Sequence, residues 1–271
     1  MRGTGAAPGE LLAPLTAAVL EVGVLLREWR ADAAAVRGVW EGSQFKAEAD
    51  ARAHRELSGR LAALAPGAPV LSEEDAASQV SARPGRHWLI DPIDGTASYA
   101  HGFPGYVTQA ALMEGARPVL SAVYAPENDV MYAAVRGLGA TRNGVLMPRL
   151  DPAPVGTGAL VDNTPEPRGI AARAYARFGF REYMECGSIA LKLCRVAEGS
   201  ARLFVKDVPV RDWDVAAPLL VLEEAGAGLV RLDGTGFDFQ GSYESTGLIG
   251  ASSPEACAEV ARWWRDEEAL G

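Results

Sequence analysis

Trp88-Leu89-Ile90-Asp91-Pro92-Ile93-Asp94-Gly95-Thr96 is the stretch whose reading decides this chain. His87 to Ile90 is apolar and reads as a buried strand that ends at Asp91. Pro92 ends a strand because it lacks an N–H and fixes φ. Gly95 permits a tight turn, and Thr96 can cap the helix that follows. Two carboxylates three residues apart can hold a hard cation through oxygen ligands. The backbone N–H groups of Gly95 and Thr96 can receive phosphate oxygens at a helix start. Asp, Pro and Gly are also the commonest turn residues, so the same letters alone would equally make a surface turn. The buried run before them favours a site.

Other acids stand at comparable places. Glu73-Glu74-Asp75 follows the short strand Pro69-Val70-Leu71-Ser72, as a solvated loop or a cation site. Asp212-Trp213-Asp214 precedes the apolar run Val215-Ala216-Ala217-Pro218-Leu219-Leu220, where an acid is favoured by capping and the helix dipole even without a ligand. Glu48 and Asp50 open a helix over about 47–64 under the same two readings. Together these acids form an inventory for two or more Mg²⁺ ions, which in phosphoryl transfer clamp attacking and leaving oxygens.

The remaining chain sorts into two halves. Residues 9–30 read as a helix whose Leu12, Leu15, Val19, Val22, Leu26 and Trp29 form one apolar stripe. Glu10 and Glu21 flank its apolar run, which favours a core helix over a signal peptide. No uninterrupted run reaches the ~18 apolar residues of a membrane helix. Ser78, Ser81, Pro84 and Gly85 mark an exposed loop. Tyr106–Met113, Pro118–Tyr124 and Val130–Val135 predict an antiparallel meander, and Arg142-Asn143-Gly144 a tight turn. After Asp151-Pro152-Ala153-Pro154 strands and helices alternate: strands at Ala159–Asp162, Tyr183–Cys186, Arg202–Lys206, Leu229–Leu232 and Gly247–Gly250, helices at 166–178, Ile189–Glu198, Val215–Ala225 and 254–266. The expected class is α/β overall, with an α+β N-terminal half (1–150) that carries an antiparallel sheet and most metal ligands. An α/β C-terminal half (151–271) carries Asp214 and the substrate side.

The 271 residues carry a net charge of −9, which argues against nucleic-acid binding. Three cysteines without a CxxC pair argue against a disulfide framework or zinc site and for a reducing cytoplasm. Three scattered histidines leave catalysis to Asp, Glu, Lys and Thr.

The segment from Trp88 to Tyr99 resembles the first signature of the inositol monophosphatase family. Trp213-Asp214-Val215-Ala216-Ala217-Pro218 with Glu224-Ala225-Gly226-Ala227 resembles the second. Order and spacing hold from about residue 10 to 260. The resemblance implies a layered αβαβα fold, shared with fructose-1,6-bisphosphatase, and a Mg²⁺-dependent, lithium-sensitive phosphomonoesterase working as a homodimer with two to three ions. It implies metal ligation by Glu73, Asp91, the Ile93 carbonyl, Asp94 and Asp214. It implies that Asp50 and Thr96 together activate a water, and that Gly95 and Thr96 touch phosphate. It also implies that Gly187, Ser188 and Ile189 line the substrate side, and that Asp207 holds substrate hydroxyls.

Several residues depart from the family pattern. Lys46-Ala47 replaces a common Val-Thr, Ser72 replaces the common Gly before Glu-Glu, and Ala97-Ser98-Tyr99 replaces x-Asn-Phe. The stretch from Gly187 to Cys194, with Ala197-Glu198-Gly199, looks closer to members that cleave 3′-phosphoadenosine 5′-phosphate. Lys192 is read as a solvent-facing helix lysine in preference to a contact for a second phosphate. The expected activity is hydrolysis of a small soluble phosphate ester of the inositol monophosphate type. The alternatives are a 3′(2′),5′-bisphosphate nucleotidase and, from another class, an inactive protein that binds metal or a phosphorylated metabolite.

Overall fold

The computed structural model describes residues 6–31, 38–41, 44–79 and 82–269. Ser81, expected in an exposed loop, lies outside them. Helix α1 (Leu12–Arg30) follows a short 3-10 turn at Pro8–Leu11, and its buried stripe is Leu15, Val19, Val22 and Leu26. Strands β1 (Gly38–Glu41) and β2 (Gln44–Ala47) form an antiparallel ribbon that sequence periodicity did not reveal. It leads directly into α2 (Glu48–Leu64), which buries Ala49, Ala53, Leu57 and Leu61.

The first large sheet contains β3 (Val70–Ser72), β4 (Arg86–Asp94), β5 (Val107–Glu114), β6 (Arg117–Ala125), β7 (Val130–Val135), β8 (Gly139–Arg142) and β9 (Val145–Leu146), neighbours in that order. The expected meander is there. One pair, β3 with β4, is parallel, so the sheet is mixed rather than wholly antiparallel. The short helix α3 (Thr96–His101) follows β4.

The second sheet contains β10 (Ala159–Asp162), β11 (Glu182–Glu185), β12 (Leu203–Arg211), β13 (Gly228–Val230) and β14 (Glu244–Ala251) in the order β11-β10-β12-β14-β13. β10 runs parallel to β11 and β12, whereas β14 is antiparallel to both its neighbours. Its helices are α4 (Gly169–Phe178), α5 (Ile189–Ala197), α6 (Asp212–Glu224) and α7 (Pro254–Glu268). α6 begins three residues earlier than the apolar run suggested, so Asp212, Trp213 and Asp214 form its first turn.

Strand alternation builds the layers. Trp88 and Ile90 of β4 face α1 and α2, together with Ala110, Leu112, Leu120 and Ala122. Leu89, between them, faces the other way and joins a core shared with α5, α6, Phe204 and Leu248. Beyond the second sheet, Leu160, Leu203, Val205 and Ile249 pack against α4 and α7. Five layers result, helices–sheet–helices–sheet–helices, as the resemblance implied. The helix from Pro8 to Arg30 does have the length and hydropathy of a membrane span, contrary to the expectation from uninterrupted runs. Its stripe is spent on this core, where Leu15, Val19, Val22 and Leu26 are fully buried.

Candidate active site

The strand expected to stop at Asp91 continues to Asp94, and the irregularity lies within it. Against β5, Asp91 pairs with Gln109 and Asp94 with Val107, so three steps on β4 match two on its partner. The extra residue is a β-bulge at Pro92-Ile93, where proline has no ladder hydrogen bond to lose. In a regular strand residues three apart face opposite sides. The bulge removes that alternation and brings both aspartates into one carboxylate group. Asp91 Oδ1 accepts from its own turn, from Ile93 N at 3.0 Å.

Gly95 then takes φ +90°, a left-handed conformation open to glycine at low cost, and turns the chain into α3. Thr96 Oγ1 stands 3.0 Å from Asp50 Oδ1 and 3.0 Å from the Ile93 carbonyl oxygen. Its one hydroxyl proton can serve either acceptor. Asp50 comes from the first turn of α2 and is almost wholly buried.

The C-terminal half closes over this turn. Asp94 accepts from two backbone N–H groups at the start of α5, with Ala190 N at 2.7 Å and Ile189 N at 3.3 Å. Ser188 caps the same helix by accepting from Leu191 N, while its own N–H donates to the Gly105 carbonyl at 2.6 Å. Gly187, Ser188 and Ile189 therefore lie against Asp94 and the Gly95 turn. Asp214, from α6, accepts from Arg211 N at 2.7 Å.

Electrostatics describe one acidic cluster. Burial, then the charges of Glu73, Asp94, Asp214 and Asp50, hold the Asp91 carboxyl well above its usual value. Burial, then Asp94 and Glu73, does the same for half-buried Asp214. Asp94 is also raised by burial, while the α5 N–H groups and Lys192 pull it down. Oxygen donors buried together with repelling charges suit a hard divalent cation. Among the described residues no three acidic, imidazole or thiolate side chains already meet at one point. Asp94 and Asp214 are turned toward N–H donors, and each of those carboxylate oxygens retains a further lone pair.

One expectation changes. Lys192 is neither solvent-facing nor open to a phosphate. It is 2 % exposed, and its Nζ donates to the Gly187 carbonyl at 2.8 Å and lies over the Phe204 ring. Burial pushes its ammonium pKa down. The helix hydropathy pattern could not show this, because the second sheet covers that face of α5. Asp207 sits exposed at a register shift in β12.

The sequence reading also missed two residues. Arg83, from the loop expected to be exposed, is buried against Asp212, with Nη2 to Oδ2 at 2.6 Å, and ties that loop to the α6 start. Gly105 meets Gly187 so closely that a Cβ on Gly187 would lie 2.3 Å from the Gly105 carbonyl oxygen and 2.6 Å from Ser98 Oγ. Only a side-chain hydrogen fits between the two halves there. Gly187→Ala is expected to lower stability by about 1–3 kcal/mol, seen as a lower urea midpoint. Unchanged stability would mean that the halves separate freely at this seam.

The sequence profile of the inositol monophosphatase family matches residues 9–266. Escherichia coli 3′(2′),5′-bisphosphate nucleotidase CysQ is 32% identical over 201 residues, covering 70% of this chain and 78% of that protein. Inositol monophosphatase 2 of Solanum lycopersicum is 38% identical over 164 residues, covering 56% of this chain and 59% of that protein. The solved IMPase of Thermotoga maritima superposes with a TM-score of 0.78 at 22% identity, covering 93% of this chain and 96% of that one. With the bulged Asp91–Asp94 turn, the Thr96–Asp50 contact and the acidic cluster in place, the match across nearly the whole length makes this chain a member of the inositol monophosphatase family, phosphatases that hydrolyse phosphate monoesters.

Proposed function

We propose that this protein is a Mg²⁺-dependent phosphatase of a small soluble phosphate ester of the inositol monophosphate type, using water as nucleophile without a phosphoenzyme. The observation that carries it is the Thr96 hydroxyl, 3.0 Å from Asp50 Oδ1 beside the carboxylate cluster. A protein that only bound cations would have no use for a proton path at that point.

Glu73, Asp91, the Ile93 carbonyl, Asp94 and Asp214 would hold two to three Mg²⁺ ions. Bound there, the metal supplies neutralisation of phosphate charge and makes water a competent nucleophile near neutral pH. The chain's own residues do the rest. A water donating to Thr96 Oγ1 can lose its proton as the hydroxyl passes its own to Asp50 Oδ1. The N–H groups of Gly95 and Thr96 orient the phosphate. Gly187, Ser188 and Ile189 wall the substrate side, and Asp207 would contact substrate hydroxyls. Phosphoryl transfer asks mainly for such positioning and charge neutralisation.

A second substrate is favoured by one finding: the relative matched over 201 residues is a 3′(2′),5′-bisphosphate nucleotidase, and the 187–199 stretch looks closer to nucleotide-cleaving members. Inositol 1-phosphate, fructose 1,6-bisphosphate and 3′-phosphoadenosine 5′-phosphate assayed side by side, with Mg²⁺ and with chelator, test both. Phosphate release that needs Mg²⁺ is expected, and the ratio of kcat/KM values names the substrate. Tight Mg²⁺ binding without turnover of any of the three would favour the inactive binder instead. The family resemblance further supports a homodimer and lithium inhibition. The three cysteines, Cys186, Cys194 and Cys257, are buried and unpaired, in keeping with a reducing cytoplasm.

A further inference from the structure

Ser72 stands where the family commonly has glycine, and its hydroxyl is engaged. Ser72 Oγ lies 2.9 Å from His54 Nδ1 and accepts from Glu74 N at 3.2 Å. Ser72 is fully buried and ends β3, so its side chain sits immediately before the Glu73-Glu74 turn. The turn is knotted locally. Ser72 N donates to Ser78 Oγ at 3.1 Å, and Gln79 Nε2 donates to the Ser72 and Glu73 carbonyls at 3.1 and 3.3 Å. Those bonds hold the loop to itself. The His54 contact holds it to a different layer of the protein.

That layer is α2, the helix that carries Asp50. Residues four apart on a helix share a face. Asp50 uses this face to hold Thr96, two residues past the end of β4, and His54 uses it to hold Ser72, at the end of β3. β3 and β4 are parallel neighbours, with Ser72 opposite Ile90. One turn of α2 therefore grips the ends of the two strands from which Glu73 and the Asp91–Thr96 segment emerge. A glycine at position 72 could not make this link.

We infer that His54 and Ser72 are a positioning pair that fixes the Glu73 turn against the α2 face holding Asp50, and so sets the affinity of the cluster for Mg²⁺. This rests on the reading of Glu73 as a cation ligand. Neither residue touches substrate; each acts through the turn. Groups behind metal ligands typically carry about 10–100-fold in metal affinity or activity.

The test uses the full chain, stripped of metal and titrated with MgCl₂ by calorimetry, alongside Mg²⁺ activation of turnover. His54→Ala and Ser72→Ala are each expected to weaken Mg²⁺ binding by about 10-fold, with the metal-free melting temperature little changed. The double variant is expected to lose no more than either single one, because both remove the same link. His54→Asn is expected to restore affinity, since its amide reaches the place of Nδ1. Ser72→Ala keeps the buried volume and carries the test should His54→Ala fold poorly. Wild-type Mg²⁺ affinity in Ser72→Ala, or additive losses in the double variant, overturns the inference. Absence of Mg²⁺ binding by the unaltered protein would overturn the reading of the site itself.

Discussion

Asp94→Asn is expected to abolish Mg²⁺-dependent turnover while leaving the protein folded. Asp94 belongs to both halves of the site. It ends the bulged strand β4, and its oxygens receive the Ile189 and Ala190 N–H groups of α5. The substitution removes one formal charge from a group in which Asp91 and Asp214 are raised partly by Asp94 itself. Cation binding loses a ligand charge, and metal catalysis is worth several kcal/mol of transition-state stabilisation. The expected loss is on the order of 10³-fold in kcat/KM. For the metal-free fold the balance is different. Asparagine keeps one acceptor for the α5 N–H groups, and the loss of repulsion offsets the loss of a charged cap. The other N–H loses its acceptor and meets the amide NH₂, so metal-free stability should fall by about 1–3 kcal/mol, which leaves the protein folded. Steady-state kinetics across a Mg²⁺ series, with urea unfolding of the chelated protein, separates the two effects. Near-normal turnover in this variant would remove Asp94, and with it the proposed ion site, from the mechanism.

Asp50→Asn isolates the proton path. The amide is nearly isosteric and can still bond Thr96 Oγ1, but it cannot take up a proton. A fall in kcat of about 10²–10⁴-fold is expected, the usual contribution of a positioned general base. KM and Mg²⁺ affinity should change little, because Asp50 is read as the partner of Thr96 rather than as a ligand. Thr96→Val should give a comparable loss. A variant in which Mg²⁺ affinity falls instead of kcat would reassign Asp50 to cation binding. The contrast with Asp94→Asn, where metal affinity itself should suffer, makes the pair of experiments informative together.

Much was legible in the sequence because it depends on short-range pattern. The apolar stripe of α1 follows from the helix period, and the continuous apolar run Trp88-Leu89-Ile90 marks a strand buried on both faces. The same holds for the turn at Arg142-Asn143-Gly144. The carboxylate types and their order are also sequence facts, and so are the two signatures whose family resemblance implied the five layers. What escaped was set by residues distant in the chain. The β1–β2 ribbon has no periodic signal over strands of four residues each. The burial of Lys192 depends on Phe204 and the second sheet, and that of Arg83 on Asp212 and the Phe239 carbonyl.

The Trp88–Thr96 segment shows the division most clearly. By itself the sequence determined that a strand there ends in two aspartates, a proline and a glycine, with a threonine to follow. Its residue types made cation and phosphate chemistry available. Which way the aspartates face was decided by a bulge, and a bulge exists only relative to the partner strand β5. The surroundings of Asp94 were decided by the N-terminus of α5, almost a hundred positions later in the chain. Local steric preference acts between neighbours and can be read along a line. Burial, repulsion among carboxylates and the fit of Gly105 against Gly187 are sums over atoms brought together only by folding.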